Sequence, residues 1–266
     1  MQENKVWNEQ KLAEQNHAYW IRRAPGYSEV NQEELAGIQR MTWSKLLDRE
    51  ITQHFGNGSL ACSEIRILDI GAGPGFLSIL LAELGYRVTA ADFAESMIEE
   101  AKVNAGEISE KIDFRRENAM RLTFPEQSFD VVLSRNLTWN LPDPKAAYRE
   151  WLRVLKPGGL MLVFDANWYD FLVDEGKKAA FDADREKVAE LGLEDYNIGD
   201  GFDVMDEIAR HLPMTGEKRP EWDKRVLLAM KVTEVNTVED IGSVVYSEKE
   251  KVNYASTPMF MIRVVK

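Results

Sequence analysis

The sequence predicts a doubly wound α/β domain built on a mostly parallel sheet, with helical additions on either side. Three observations predict it. Between about residues 64 and 164 short apolar runs alternate with longer amphipathic ones, the pattern of successive βαβ units. The first apolar run ends in a glycine-rich turn, Gly71-Ala72-Gly73-Pro74-Gly75, which opens an apolar helical stretch. The second run ends in an acid, Asp92.

IRILDI, Ile65 to Ile70, is a compact apolar run that ends at glycines, and it reads as a buried strand. Phe76 to Leu84 follows as a helix stopped by Gly85. Arg87 to Ala91 makes a second strand closed by Asp92, and Ser96 with Glu99 fits a capping box for a helix running to about Asn104. Ile112 to Arg115 is a third strand, and Phe129 to Leu133 a fourth, announced by the turn residues PEQS. Asp143-Pro144 reads as an N-cap followed by a first-turn proline, opening a helix with Tyr148, Trp151, Leu152 and Leu155 on one side. Lys156-Pro157-Gly158-Gly159 fits a type II turn before a fifth strand, Leu160 to Phe164. The flanks differ. The first 60 residues read as helices with aromatics at Trp7, Tyr19, Trp20, Tyr27 and Trp43, and 166–225 hold acidic helical material. Thr233 to Val238 and the strongly alternating Met259 to Val265 read as two late strands.

Composition narrows the function classes. The 266 residues are 44% hydrophobic and 29% charged, an ordinary globular balance. A net charge of −12 disfavours phosphate backbones and anionic lipid, so neither nucleic acid nor a membrane is an expected partner. Cys62 is the single cysteine, read as a small residue ahead of a strand; it forbids an intrachain disulfide and suits a reducing compartment. The opening MQENKVWNEQKLAEQ has no apolar signal core, and no apolar stretch is long enough to span a bilayer, so the cytoplasm is the expected location. His17, His54 (just before the loop GNGS) and His211 have no metal-ligand spacing, and no metal is expected. Surface or capping roles suit them, with His17 or His211 as an outside candidate for a base.

The glycine turn carries the chemistry. A dinucleotide fingerprint spaces its glycines G-x-G-x-x-G. Here they fall at Gly71, Gly73 and Gly75, a G-x-G-x-G pattern. Asp69, two residues ahead of the first glycine, would repel a pyrophosphate but welcome the ammonium of an amino-acid moiety. Asp92 sits about 20 residues on, where a carboxylate accepts hydrogen bonds from ribose hydroxyls.

These segments resemble the class I S-adenosylmethionine-dependent methyltransferases, especially the small-molecule group that includes quinone-biosynthesis enzymes. LDIGAGPGFLSILLAELG looks like that family's first motif and VTAADFAESMIEEAKVNA its second. ENAMRLTFPEQSFDVVLSRN resembles the third and fourth, and WLRVLKPGGLMLVFD the region of the fifth strand. The resemblance covers roughly residues 60 to 166 and implies a seven-stranded sheet whose last strand is antiparallel. It implies S-adenosylmethionine as cofactor, S-adenosylhomocysteine as product and a small-molecule methyl acceptor. Backbone at Gly71, Ala72, Gly73 and Gly75 would line the methionine part, with Asp69 near its ammonium. Asp92 would hold the ribose, and Phe93 and Met97 would pack on the adenine. Asn118-Ala119 stands where the family usually has Asp-Ala, and Asn can accept the same hydrogen bond without the charge. Ser134, Arg135 and Asn136 end the fourth strand, where cofactor and acceptor would meet. Other readings stay open: Asp92 and Asn136 also fit capping residues, and Phe93 and Met97 also fit plain core.

Preceding segments in this family often lay a tyrosine over the methionine end, which makes Tyr27 the first candidate and Tyr19 the second; Trp20 reads as a packing residue. For the acceptor, Asn136, Trp139 and Asn140 follow the fourth strand and Asn167 and Trp168 the fifth, both at the open edge of the sheet. Arg219 and Trp222 form a further polar and aromatic cluster, which fits a helix start equally well, and Asp165 fits a strand-end cap. The expected organisation is an N-terminal helical cap (1–60), a cofactor-binding core (61–166), a helical lid insertion (167–225) and C-terminal strands completing the sheet (226–266). A nicotinamide-dependent oxidoreductase and a non-catalytic S-adenosylmethionine-binding module are the rival readings. No catalytic residue and no oligomeric state is assigned.

Overall fold

The apolar runs assemble into one seven-stranded sheet. The protein is described from a computed structural model over residues 9–56, 60–199 and 201–266; Trp7 and most of the GNGS loop lie outside the described residues. Two helices come first, α1 (Glu9–Ala36) and α2 (Ile38–Phe55). The core follows as β1 (Arg66–Ile70), α3 (Phe76–Glu83), β2 (Arg87–Asp92), α4 (Glu95–Ala105), β3 (Ile112–Arg116), β4 (Phe129–Arg135), α5 (Pro144–Val154) and β5 (Leu155–Asp165). After it come α6 (Glu175–Glu190), α7 (Phe202–Ala209), α8 (Glu221–Ala229), β6 (Glu234–Val238), α9 (Gly242–Val245), α10 (Glu248–Asn253) and β7 (Phe260–Val265).

The strand order is β3-β2-β1-β4-β5-β7-β6. β1 to β5 pair in parallel, whereas β7 runs antiparallel to both β5 and β6. Between β1 and β4 the chain reverses its direction of travel across the sheet, and ligands bind outside the carboxyl ends of strands at such a switch point. The central strands are buried on both faces, which explains their continuous apolar runs. Alternate residues feed opposite layers. Ile67, Val131, Leu133, Leu162 and Phe164 pack towards Trp43, Phe76 and Leu80, while Leu68, Val132, Met161 and Val163 pack towards Tyr148 and Trp151.

Three local expectations are corrected. Ala94, not Ser96, is the N-cap of α4, because Asp92 Oδ1 accepts the Ala94 amide at 2.9 Å and starts the helix earlier; Ser96 Oγ reaches the Ile21 carbonyl instead. Leu155 leaves α5 and begins β5 opposite Phe129. The Lys156–Gly159 segment lies within β5 as a bulge: Gly158 takes φ +71, and the register jumps from Phe129↔Leu155 to Val131↔Leu160. Asp143 caps α5 as expected, accepting the Ala146 amide at 2.9 Å. The short helices α9 and α10 between the late strands are additional to the expected elements.

Both flanks are fastened to the carboxyl edge of the sheet by buried charge. Arg135, ending β4, pairs with Glu34 of α1 at 2.5 Å between the rings of Trp43 and Phe76. Arg219, from the insertion, is almost wholly buried. It bonds Asp165 at the end of β5 (3.0 Å), Asp223 (2.9 and 3.0 Å) and Thr138 (2.5 Å). Tyr148 donates to Asp223 at 2.6 Å, and the Trp139 and Ala166 amides donate to Asp165 at 2.9 Å. Removing one partner of such a network leaves uncompensated buried charge. Arg219→Ala is therefore expected to lose about 3–5 kcal/mol of unfolding free energy, read from urea midpoints against wild type.

Candidate active site

The site begins where β1 stops. Ile70 leads into Gly71 (φ +67) and Gly73 (φ +52), conformations that residues with a Cβ rarely adopt. A Cβ on Gly71 would meet Leu137 Cδ2 at 2.7 Å, and one on Gly73 would meet the Tyr27 ring at 3.4 Å. The loop is pinned to the end of β2: the Gly71 and Ala72 amides both donate to the Ala91 carbonyl (2.8 and 3.0 Å), and the Gly73 amide to Asp92 Oδ2 (2.9 Å). The Gly75 amide turns back to the Ala72 carbonyl at 2.9 Å. Every amide N–H from 71 to 75 is thus used inside the protein, Pro74 having none.

Two acids sit beneath and beside this loop. Asp69 is buried and accepts from Ser78 Oγ at 2.6 Å; burial raises its pKa to about 7. Burial also raises that of Asp92, against the pull of the Ala94 and Gly73 amides.

Around the loop opens a cleft of about 170 Å³. Of the residues expected to hold a cofactor, Gly71, Gly73, Asp92, Phe93, Met97, Asn118, Ala119, Arg135, Asn136 and Tyr27 line it. Asn118 Oδ1 accepts the Met120 amide at 2.9 Å. Asn136 takes φ +56 at the end of β4, bringing its side chain within hydrogen-bond reach of the Tyr27 hydroxyl. Asp69, Ala72 and Gly75 support the loop from behind without lining the cleft. Tyr19 is placed elsewhere, buried with Trp139, Met205 and Ile208 against α7.

The acceptor candidates divide. Asn136 and Asn140 line the cleft. Trp139, Asn167 and Trp168 line a small neighbouring cavity together with Arg219, whose guanidinium is engaged in the network above. Trp139 links the two spaces, donating its indole N–H to the Asn136 carbonyl at 3.0 Å and stacking on Tyr169. Trp222 is buried in the layer with Tyr148 and Trp151. His54 bonds the Gly158 carbonyl far from the cleft, and His211 is exposed just past α7. Residues that the sequence did not assign to the cofactor or the acceptor also line the cleft, among them Asn16, His17 and Trp20 from α1, and Glu117. With Ala13 and Tyr27, Asn16, His17 and Trp20 form one face of α1, a spacing visible in the sequence but indistinguishable there from ordinary packing.

Residues 68–163 match a family model described as a methyltransferase domain. The match takes in the glycine loop, Asp92, Asn118 and Arg135. Ubiquinone biosynthesis O-methyltransferase from Parvibaculum lavamentivorans is 37% identical over 117 residues, covering 43% of this chain and 46% of that protein. The protein of the same name from Caulobacter sp. is 39% identical over 113 residues, covering 42% and 45%. The match therefore spans a little under half the length of these curated relatives. A solved chain from Methanococcus maripaludis, described as S-adenosyl-L-methionine-dependent methyltransferase, superposes over 100% of this chain and 97% of its own, with TM-score 0.58 and 18% identity. A phosphoethanolamine N-methyltransferase 2 structure from Haemonchus contortus gives 0.53 and 16%, over 83% of this chain and 52% of that one. Both share the seven-stranded methyltransferase fold.

The raised pKa of Asp69 makes a signed prediction. Its protonated form is favoured in the folded state, so its contribution to stability is complete below pH 3.8 and is lost as pH rises to about 7. The unliganded Asp69→Asn variant is expected to gain on wild type across that window by up to about 1.4 kcal/mol per pH unit, then hold its lead, as read from urea midpoints at successive pH values.

Proposed function

We propose that this chain is an S-adenosylmethionine-dependent methyltransferase acting on a small-molecule acceptor. The observation that carries the reading is the occupied glycine loop. With every amide from 71 to 75 already bonded, the loop offers no nest for a pyrophosphate, which argues against a nicotinamide dinucleotide. The same loop presents backbone without side chains beside Asp92, whose carboxylate keeps lone pairs for ribose hydroxyls. Phe93, Met97, Asn118 and Ala119 offer apolar faces and amide groups suited to an adenine. Asp69 lies behind the loop, where its charged form would be favoured by an ammonium bound on the cleft side.

Bound there, S-adenosylmethionine supplies a methyl group on a sulfonium, open to in-line displacement by a nucleophile. The protein's part is alignment and exclusion of water. α1 lies across the cleft, its Tyr27 ring against Gly73, placing an aromatic face where a cation is favoured. Asn136 and Asn140 face the same end, and Trp139, Asn167 and Trp168 form the adjoining wall at the ends of β4 and β5. In this reading residues 1–60 are a cap, 167–225 a lid over the acceptor, and 226–266 complete the sheet. The O-methyltransferase names of the curated relatives favour a hydroxyl-bearing acceptor. No helix among the described residues is long and apolar enough to cross a membrane, and a cytoplasmic setting suits the single cysteine.

Calorimetric titration with S-adenosylmethionine, S-adenosylhomocysteine and NADH tests this reading. Micromolar binding of the two adenosyl compounds and none of NADH is expected. Asp92→Asn should weaken that binding about 10- to 100-fold, the worth of one or two hydrogen bonds to a charged group. Preference for NADH, or no adenosyl binding, would overturn it.

A further inference from the structure

Twelve buried side-chain nitrogen and oxygen atoms have no hydrogen-bond partner among the described residues, and five of their side chains line one cleft. Buried polar atoms are almost always paired, so a concentration of unpaired ones marks where a ligand completes the bonding. Three of the side chains, those of Asn16, His17 and Trp20, belong to α1, outside the matched domain.

Their order along the cleft is fixed by what they touch. The His17 ring lies 4.4 Å from the ring of Phe93, the residue directly after Asp92, which places His17 where the adenine and ribose parts of the site meet. Burial, with Arg116 nearby, lowers its pKa and favours the neutral imidazole, whose unpaired Nε2 suits a hydroxyl, able both to give and to accept. Trp20 is three residues on, about 4.5 Å along the helix. Its ring meets the edge of Tyr27 at 5.7 Å, and Tyr27 covers Gly73. Trp20 Nε1 can only donate, and so can the unpaired Nη1 of Arg135, which lines the same cleft. Arg135 acts on the same Tyr27, so two donor-only groups neighbour one ring, an arrangement that asks for an anion.

We infer that α1 supplies the second half of the cofactor site, with Trp20 and Arg135 receiving the carboxylate of the amino-acid arm and His17 a ribose hydroxyl. The inference rests on the S-adenosylmethionine reading and adds Trp20 and His17 to the residues that select it. It also explains the clasp between Asn16 and Asn140, where Asn16 Nδ2 donates to the Asn140 carbonyl at 2.7 Å and holds this stretch of helix on the cleft wall.

The test compares S-adenosylmethionine with its decarboxylated form, which differs only in lacking the carboxylate, by calorimetry on wild type, Trp20→Phe and His17→Ala. Wild type should prefer the intact compound. Trp20→Phe should weaken intact S-adenosylmethionine about tenfold and leave the decarboxylated form nearly unchanged, so that the preference shrinks. His17→Ala should weaken both compounds by a similar factor. An unchanged preference in Trp20→Phe, or unchanged affinities in His17→Ala, would overturn the corresponding assignment. Equal loss of both compounds in Trp20→Phe, with a lowered melting temperature, would reduce Trp20 to a packing residue. If wild type binds neither compound, it is the methyltransferase reading that fails.

Discussion

The structure depends on buried arginine–carboxylate bonding at the carboxyl ends of its two central strands. β4 ends in an arginine, Arg135, which reaches a glutamate of the N-terminal flank; β5 ends in an aspartate, Asp165, which takes an arginine from the later insertion. The polarity is opposite, but the physical logic is shared. A parallel sheet leaves its carboxyl edge open, and the segments covering that edge need fixed positions if a cleft between them is to have a shape. Apolar packing tolerates sliding, whereas a bidentate guanidinium with every nitrogen bonded admits one geometry. Arg219, bonded to two aspartates and a threonine, meets that description. Its role here is positional, since burying so much charge carries a desolvation cost that the pairing does little more than offset.

The Arg135–Glu34 pair places α1. Without it the helix would rest on the sheet edge through few large apolar contacts, Leu12, Ala24 and the half-buried Trp20 and Tyr27 among them. With its far end tied to β4 and Asn16 clasped to Asn140, the intervening stretch is stretched across the glycine loop. The aromatic sandwich of Trp43 and Phe76 around Arg135 then links cap, loop helix and strand end in one packed unit. Position of the roof and shape of the cleft thus follow from contacts that themselves touch no ligand.

Much of the core was legible because its signals are local. Five strands, the glycine turn, the Asp143 cap and the acid closing β2 each lie within a short window, where periodicity and turn chemistry speak directly. The failures share a cause: tertiary contacts reassign residues whose local preference is ambiguous. Ser96 and Glu99 satisfy a capping pattern, yet Asp92 captures the Ala94 amide first. Tyr19 and Tyr27 were near-equivalent aromatics on one helix, and only the position of α7 sends Tyr19 away from the cleft. Arg219 looked like a ligand-binding cation because its partners, Asp165 and Thr138, lie 54 and 81 residues away. Trp20 does pack, against Tyr19, Tyr27 and Trp139, but a sequence cannot show that its indole N–H will be buried without a partner.

That last point bears on how stability and function divide the molecule. Several core polar groups are satisfied: Tyr148, Trp151 and Asp130 find partners although buried, whereas the hydroxyls of Ser134 and Tyr246 do not. Seven of the twelve unpaired atoms gather at the carboxyl edge, in the cleft and, through Asn167 and Trp168, in the cavity next to it. Each such atom costs about 1–3 kcal/mol while unpaired, so the free protein carries a strain of solvation that a ligand can relieve. The same atoms cannot be replaced by apolar ones without losing that relief. Their concentration at the carboxyl edge is therefore the part of the design least explained by folding.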